Sequence, residues 1–167
     1  MTLDEIDEGA AVFVDANIFV YHFVGTSAQC TRLLQRSATG EIRGATSIVA
    51  LAEVCHRLMM VEAVKRNLVT AGNVARRLQT RPEIVKQLVT YRADIESISA
   101  MRIDIADMTE IILMEALGLQ RRYGLLTNDS MILATMLRSN FRLLATADRR
   151  LSHLAEIDTA SPTDLNN

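Results

Sequence analysis

The chain has 167 residues, 49% of them hydrophobic and 23% charged, with a formal net charge of −2. That length suits one domain, which can bury roughly 70% of its unfolded surface and so needs no disulfide or metal to fold. The composition excludes a disordered chain and a generally basic nucleic-acid binder.

In chain order, Ala10–Val14 is a continuous apolar run, which suits a strand buried on both faces of a parallel sheet. It ends at Asp15, with Asn17 two residues on. Ala28–Ala38 reads as a helix with Leu33 and Leu34 inward, stopped by Gly40. Ile42–Thr46 reads as a second strand, completing a βαβ unit with a right-handed crossover. Ser47 then caps a helix from Ile48 to about Arg66. The first half of that helix is apolar almost all round, which predicts burial and leaves Glu53 as a carboxylate in need of a partner.

Residues 67–100 read as further helix, Gly72–Gln79 and then Pro82 to about Ser99. Arg102–Ala106 alternates like a half-buried or edge strand. Asp107 and Glu110 have the spacing of a capping pair for a helix running to about Tyr123, with Ile111, Ile112, Met114 and Leu117 facing in. The next helix, ending near Leu137, carries Asp129 in its first turn. Phe141–Thr146 reads as a buried strand that leads to Asp148. A last strand near Glu156–Thr159 precedes a polar tail.

The expected fold is therefore α/β, a three-layer sandwich with a central parallel sheet of about five strands flanked by helices. One domain spans 1–167, with a core of about 11–158, an acidic N-terminal segment 1–9 and a polar tail 160–167. Asp15, Glu53, Asp129 and Asp148 should then meet at the carboxyl edge of the sheet, where open α/β folds bind ligands. Like charges that close repel unless a cation intervenes. Mg²⁺ or Mn²⁺, which takes oxygen ligands, fits this set. His22, His56 and His153 are scattered and offer no site for a softer metal. Such a centre suits phosphodiester hydrolysis. There is no GxSxG, P-loop or GxGxxG motif, which disfavours serine hydrolases, NTPases and dinucleotide enzymes.

The segments VDANIFVYHF, TSIVALAEV, LLTNDSMILATM and LLATADRRL resemble the four acidic motifs of PIN domains, in order and across residues 11–158. The resemblance implies a ribonuclease that uses Mg²⁺ or Mn²⁺ and leaves a 5′-phosphate and a 3′-hydroxyl. It makes Asp15, Glu53, Asp129 and Asp148 catalytic metal-site carboxylates, with Asn17, Thr146 and Asn128 as supporting polar residues. Many members of the family are VapC-type toxins of toxin–antitoxin pairs, which implies a small antitoxin partner. Arg150 and Leu151 stand where many relatives carry a further Asp and a Phe, and this favours a one-metal site. The stretch from Glu53 to Asp129 is longer than in compact toxins.

Other classes fit less well. A haloacid-dehalogenase-like phosphatase wants an Asp where Asn17 stands and a downstream Lys, but no lysine follows Lys86. A receiver domain lacks its Asp pair and its Lys. A PIN fold that only binds RNA or protein is the remaining alternative. Sixteen of the 18 basic residues are arginine, the better bidentate phosphate partner. The stripes between Arg57 and Ala100 offer a surface for an antitoxin or a second copy, so a homodimer or higher oligomer is expected. The acidic N-terminus is no signal peptide, and Ile48–Val64 is broken by Glu53, His56, Arg57 and Glu62, so no membrane span is expected. Cys30 and Cys55 form neither a CxxC pair nor a zinc pattern, which suits buried thiols of a cytoplasmic protein.

Overall fold

The apolar run Ala11–Val14, too short for a helix, forms the central strand of the fold. The computed structural model describes residues 1–165; Asn166 and Asn167, the end of the expected polar tail, lie outside the described residues. The strands are β1 (Ala11–Val14), β2 (Arg43–Ser47), β3 (Asp104–Ala106), β4 (Leu143–Ala145) and β5 (Asp158–Ala160). They form one sheet in the order β3-β2-β1-β4-β5, and every pairing is parallel. Val12, Phe13 and Val14 of β1 are buried, as expected of a central strand.

The helices flanking the sheet are α1 (Ala16–Val24), α2 (Ala28–Thr39), α3 (Ile48–Lys65), α4 (Val74–Gln79), α5 (Pro82–Val85), α6 (Thr90–Ser97), α7 (Glu110–Tyr123) and α8 (Thr127–Arg138). Among the described residues no helix is long and apolar enough to cross a membrane. The chain steps outward from β1 to β2 and β3, then returns to the other side of β1 for β4 and β5. The direction of connection therefore reverses between β1 and β4. At such a switch point the loops leave in opposite directions and open a crevice at the carboxyl edge.

Several local expectations are revised. The sequence reading contains no helix between Asp15 and Ala28, yet α1 begins directly after β1. Its apolar, aromatic sequence is a poor helix signal, but Asp15 caps its start and Gly25, at φ 78°, ends it. Ser47 caps α3 as expected, its side chain accepting from the Ala50 N–H. The first half of α3 is not buried all round, however: Ile48 is 46% exposed and Ala52 is also exposed. The buried acid of α3 is Glu62, about four turns from the helix start.

Glu62 also explains why Pro82–Ser99 is not one helix. Its carboxylate accepts from the Val89 and Tyr91 N–H groups, each at 3.0 Å, and pairs with Arg66 at 3.0 Å. The chain breaks at 86–89 to deliver those donors. Burial pushes the Glu62 carboxyl up, but the N–H groups of Tyr91 and Val89 outweigh it and hold the pKa at about 2. Leu78, Ile84 and Leu88 bury themselves with Ala63 and Val69 in a small second core, so much of the apolar surface between Arg57 and Ala100 is consumed internally.

Helix α7 is the other departure. Thr109, not Asp107, caps it, accepting from the Ile112 N–H at 3.3 Å. Ile112 and Ala116 are buried against Ala134 of α8, whereas Ile111, Met114 and Leu117 are exposed. The helix carries two apolar stripes, and the one with the small Ala116 lets α8 approach closely. The acidic N-terminal segment contributes to the main core through Leu3 and Ile6, and Thr2 bridges to Ser161 beside β5.

Candidate active site

Asp15 is where β1 gives way to α1. Its backbone stays extended (φ −77°, ψ 157°), and its Oδ1 accepts from the Ala16 N–H at 2.7 Å. Oδ2 accepts from Asn17 Nδ2 at 2.5 Å and from the Thr146 hydroxyl at 2.6 Å. That hydroxyl in turn accepts from Asn17 Nδ2 at 3.1 Å and from the Asp148 N–H at 3.0 Å. One donor and two lone pairs are thus all used. Asn17 Oδ1 accepts from the Ala147 N–H at 2.9 Å, and Thr46 donates to the last carbonyl of β1, that of Val14, at 2.7 Å. The ends of β1, β2 and β4 are joined by side-chain bonds just where the crevice opens.

Asp15 is only 7% exposed. Burial pushes its pKa up to about 6 against the opposing bonds from Thr146 and Ala16, and the negative charges of Glu53 and Asp129 push it further the same way. Asp129 lies in the first turn of α8, where the N-cap residue Leu126 has no side chain able to cap. Burial raises its pKa too; Arg150 opposes the shift, and Asp148 and Glu53 reinforce it. Asp148 follows β4 and caps the short 3-10 turn Arg149–His153 by accepting from the Arg150 N–H at 2.9 Å. Its pKa is lowered, chiefly by its hydrogen bonds with the Arg150 side chain.

Glu53 differs from the expectation of a buried carboxylate. Its side chain is 30% exposed and faces Arg57 one helical turn on, at 3.7 Å. It lies on the half-buried stripe of α3 that also carries Val49 and Arg57, between the buried Ala50 and Val54 and the exposed Ile48 and Ala52. The four acids expected to meet at the carboxyl edge are therefore close enough to act on one another electrostatically. Thr146 is buried, Asn17 half-buried and Asn128 exposed in the first turn of α8.

This donor set suits a hard cation. It offers carboxylates, an amide and a hydroxyl, and one of the carboxylates is buried with no cationic side chain against it. Among the described residues no three His, Cys, Asp or Glu side chains close around one point. Mg²⁺ asks for less, since it binds through one or two carboxylates and keeps several waters. Arg150, which departs from the family pattern, pairs with both Asp148 and Asp129, and the sequence does not show that contact. Its spacing of two from Asp148 was the available signal.

A five-stranded parallel sheet flanked by helices, with acids gathered at the carboxyl edge beside its switch point, defines an α/β domain of the open-sheet class. The family model of the PIN domain matches residues 12–157, and this chain belongs to the PIN domain family. No curated protein matches it. Among solved structures, VapBC2 from Rickettsia felis, bound to a DNA fragment from its promoter, is similar at 16% identity; the likeness covers 91% of this chain and 98% of that one, with a TM-score of 0.57. A toxin–antitoxin complex from Klebsiella pneumoniae is similar at 18% identity, covering 93% and 99%, with a TM-score of 0.56. VapC20 of Mycobacterium tuberculosis, a toxin that cleaves the sarcin–ricin loop, is similar at 13% identity, covering 88% and 98%, with a TM-score of 0.54. At these identities the likeness establishes the fold.

Proposed function

We propose that this protein is a divalent-metal-dependent endoribonuclease acting as the toxin of a toxin–antitoxin pair. The observation that carries the reading is Asp15, a buried carboxyl with a pKa raised to about 6 in the company of Glu53 and Asp129, at the switch point of the sheet. Displaced pKa values in a cleft mark functional sites. An acid placed there is stabilised by a cation, and the other three acids supply the rest of a ligand shell.

Asp15, Glu53, Asp129 and Asp148 would hold Mg²⁺ or Mn²⁺. When bound, the ion supplies Lewis acidity toward a phosphoryl oxygen and a more acidic water. The remaining roles belong to the chain. Asn17 and Thr146 fix Asp15 Oδ2 by two hydrogen bonds and so aim the carboxylate. Thr146 also ties the Asp148 backbone to the same point. Arg149 and Arg150, both exposed and directly following Asp148, supply positive charge that offsets the repulsion between the acids and an RNA backbone. Single-stranded or looped RNA is the expected substrate, because the A-form major groove is closed to side chains. Hydrolysis would leave a 5′-phosphate and a 3′-hydroxyl. The toxin assignment is supported by structural neighbours that are toxin–antitoxin complexes.

Cleavage of an unstructured RNA in Mn²⁺, followed in excess EDTA, tests the activity. Loss of cleavage in EDTA is expected, and undiminished cleavage would overturn the reading. Growth arrest on expression, relieved by the product of an adjacent small gene, tests the toxin role; the full protein expressed alone without effect on growth would contradict it.

A further inference from the structure

Arg150 folds back onto the acid that precedes it by two residues. Its Nε lies 3.0 Å from both oxygens of Asp148, and Nη2 lies 2.5 Å from Asp148 Oδ2. The same Nη2 is 3.4 Å from Asp129 Oδ2. One nitrogen thus bridges two carboxylates that arrive from different elements, Asp148 after β4 and Asp129 in the first turn of α8. Among the described residues no other cationic side chain pairs with either acid, and none pairs with Asp15. The other cation facing the acids is Arg57, held by Glu53 at 3.7 Å.

The bridge occupies the space between two acids that a divalent ion would also claim. Its geometry is also easy to give up. The Arg150 side chain is 66% exposed, so rotating it into solvent breaks the ion pairs but uncovers little buried surface. The Arg150 backbone N–H still caps Asp148 Oδ1 at 2.9 Å, so the carboxylate keeps its position when the guanidinium leaves.

We propose that Arg150 is a built-in counter-ion that competes with the divalent ion for Asp129 and Asp148 and swings out of the crevice when the ion binds. The proposal rests on the metal-dependent function above and adds a positioning residue to it. In the closed arrangement Arg150 holds Asp129 and Asp148 together against their mutual repulsion, which keeps the ligand shell assembled without metal. Once released, the guanidinium stands at the lip of the crevice, where its planar fork matches a phosphate. The competition makes the site demand more metal than four carboxylates alone would.

The test is calorimetric titration of Mn²⁺ into the metal-stripped full chain without RNA, for the wild type, Arg150→Gln and Arg150→Lys. Arg150→Gln should bind Mn²⁺ about tenfold more tightly, within the range commanded by groups around metal ligands. Arg150→Lys, which keeps the charge but loses the planar fork, should fall between. Circular dichroism confirms folding of each variant, and Arg150→Lys carries the comparison if Arg150→Gln misfolds. Equal or weaker binding by Arg150→Gln, with Mn²⁺ still bound by the wild type, overturns the proposal and leaves the proposed function standing. No Mn²⁺ binding by any of the three overturns both.

Discussion

Asp15 and Asp148 stand at the ends of adjacent strands and are linked through a single hydroxyl, that of Thr146, yet they are built in opposite ways. Asp15 is buried and held by neutral donors, the Asn17 amide, the Thr146 hydroxyl and the Ala16 N–H. Asp148 is half-buried and held by an exposed guanidinium. Burial raises the pKa of the first to about 6, and an ion pair lowers that of the second. The difference separates two jobs within one crevice. The Asp15 half is fixed by the sheet and carries uncompensated charge. The Asp148 half is adjustable and carries its own cation.

The largest way to break this comparison is Asp15→Asn. It should lower metal-dependent RNA cleavage by more than about a hundredfold, beyond the effect of groups that only support a ligand. The protein should stay folded, because the Oδ1 bond to the Ala16 N–H survives; cleavage assays and thermal melts check both.

The next test is the pH dependence of stability in EDTA. A folded-state pKa of about 6 lies above the unfolded value of about 3.9. The folded chain therefore binds the Asp15 proton more tightly, and the stabilisation is complete below about pH 4 and lost as pH rises through about 6. The difference in unfolding free energy between wild type and Asp15→Asn should shift against the wild type by up to about 3 kcal/mol between pH 4 and 7. Urea unfolding across that range measures it. For Asp148 the sign is reversed: its lowered pKa adds stability that is present above the unfolded value and lost as the solution is acidified.

Thr146→Val strikes the link between the halves. It removes the hydroxyl bond to Asp15 and leaves the Asp148 N–H without its acceptor, and Asn17 Nδ2 loses one of two. A loss of about 1–3 kcal/mol is expected for such buried groups, together with an Asp15 pKa pushed higher still. Urea melts and the pH profile above read the two effects. The smallest effect falls on the Asp148 half. Asp148→Asn in EDTA should change stability little at neutral pH, and what change there is should fade with salt, because the guanidinium of the pair is exposed and screened; melts at 0.05 and 0.5 M salt test this.

What could be read from sequence follows the same division. The parallel sheet was legible, and so was the placing of Asp15 and Asp148 after buried strands and of Asp129 in the first turn of a helix, because buried runs and helix starts mark those positions. The burial of Glu53 was misjudged, since an apolar helix start does not reveal which of its faces borders a crevice. The role of Glu62 was hidden because its donors, Val89 and Tyr91, lie 27 and 29 residues away. On α7, the stripe of Ile112 and Ala116 is buried against α8 and that of Ile111, Met114 and Leu117 is not, a matter of packing that periodicity does not weigh. Arg150 was visible in the sequence, but its bridge to Asp129 exists only once α8 and the turn after β4 are side by side.

The most direct measurement is the anomalous scattering of Mn²⁺ in crystals of the wild-type protein. A single peak at about 2.1 Å from an Asp15 oxygen, the reach of a hard divalent ion, with Arg150 turned away from Asp129, is the result predicted here. No peak in the crevice, with Arg150 still bridging Asp129 and Asp148 at saturating Mn²⁺, would contradict it.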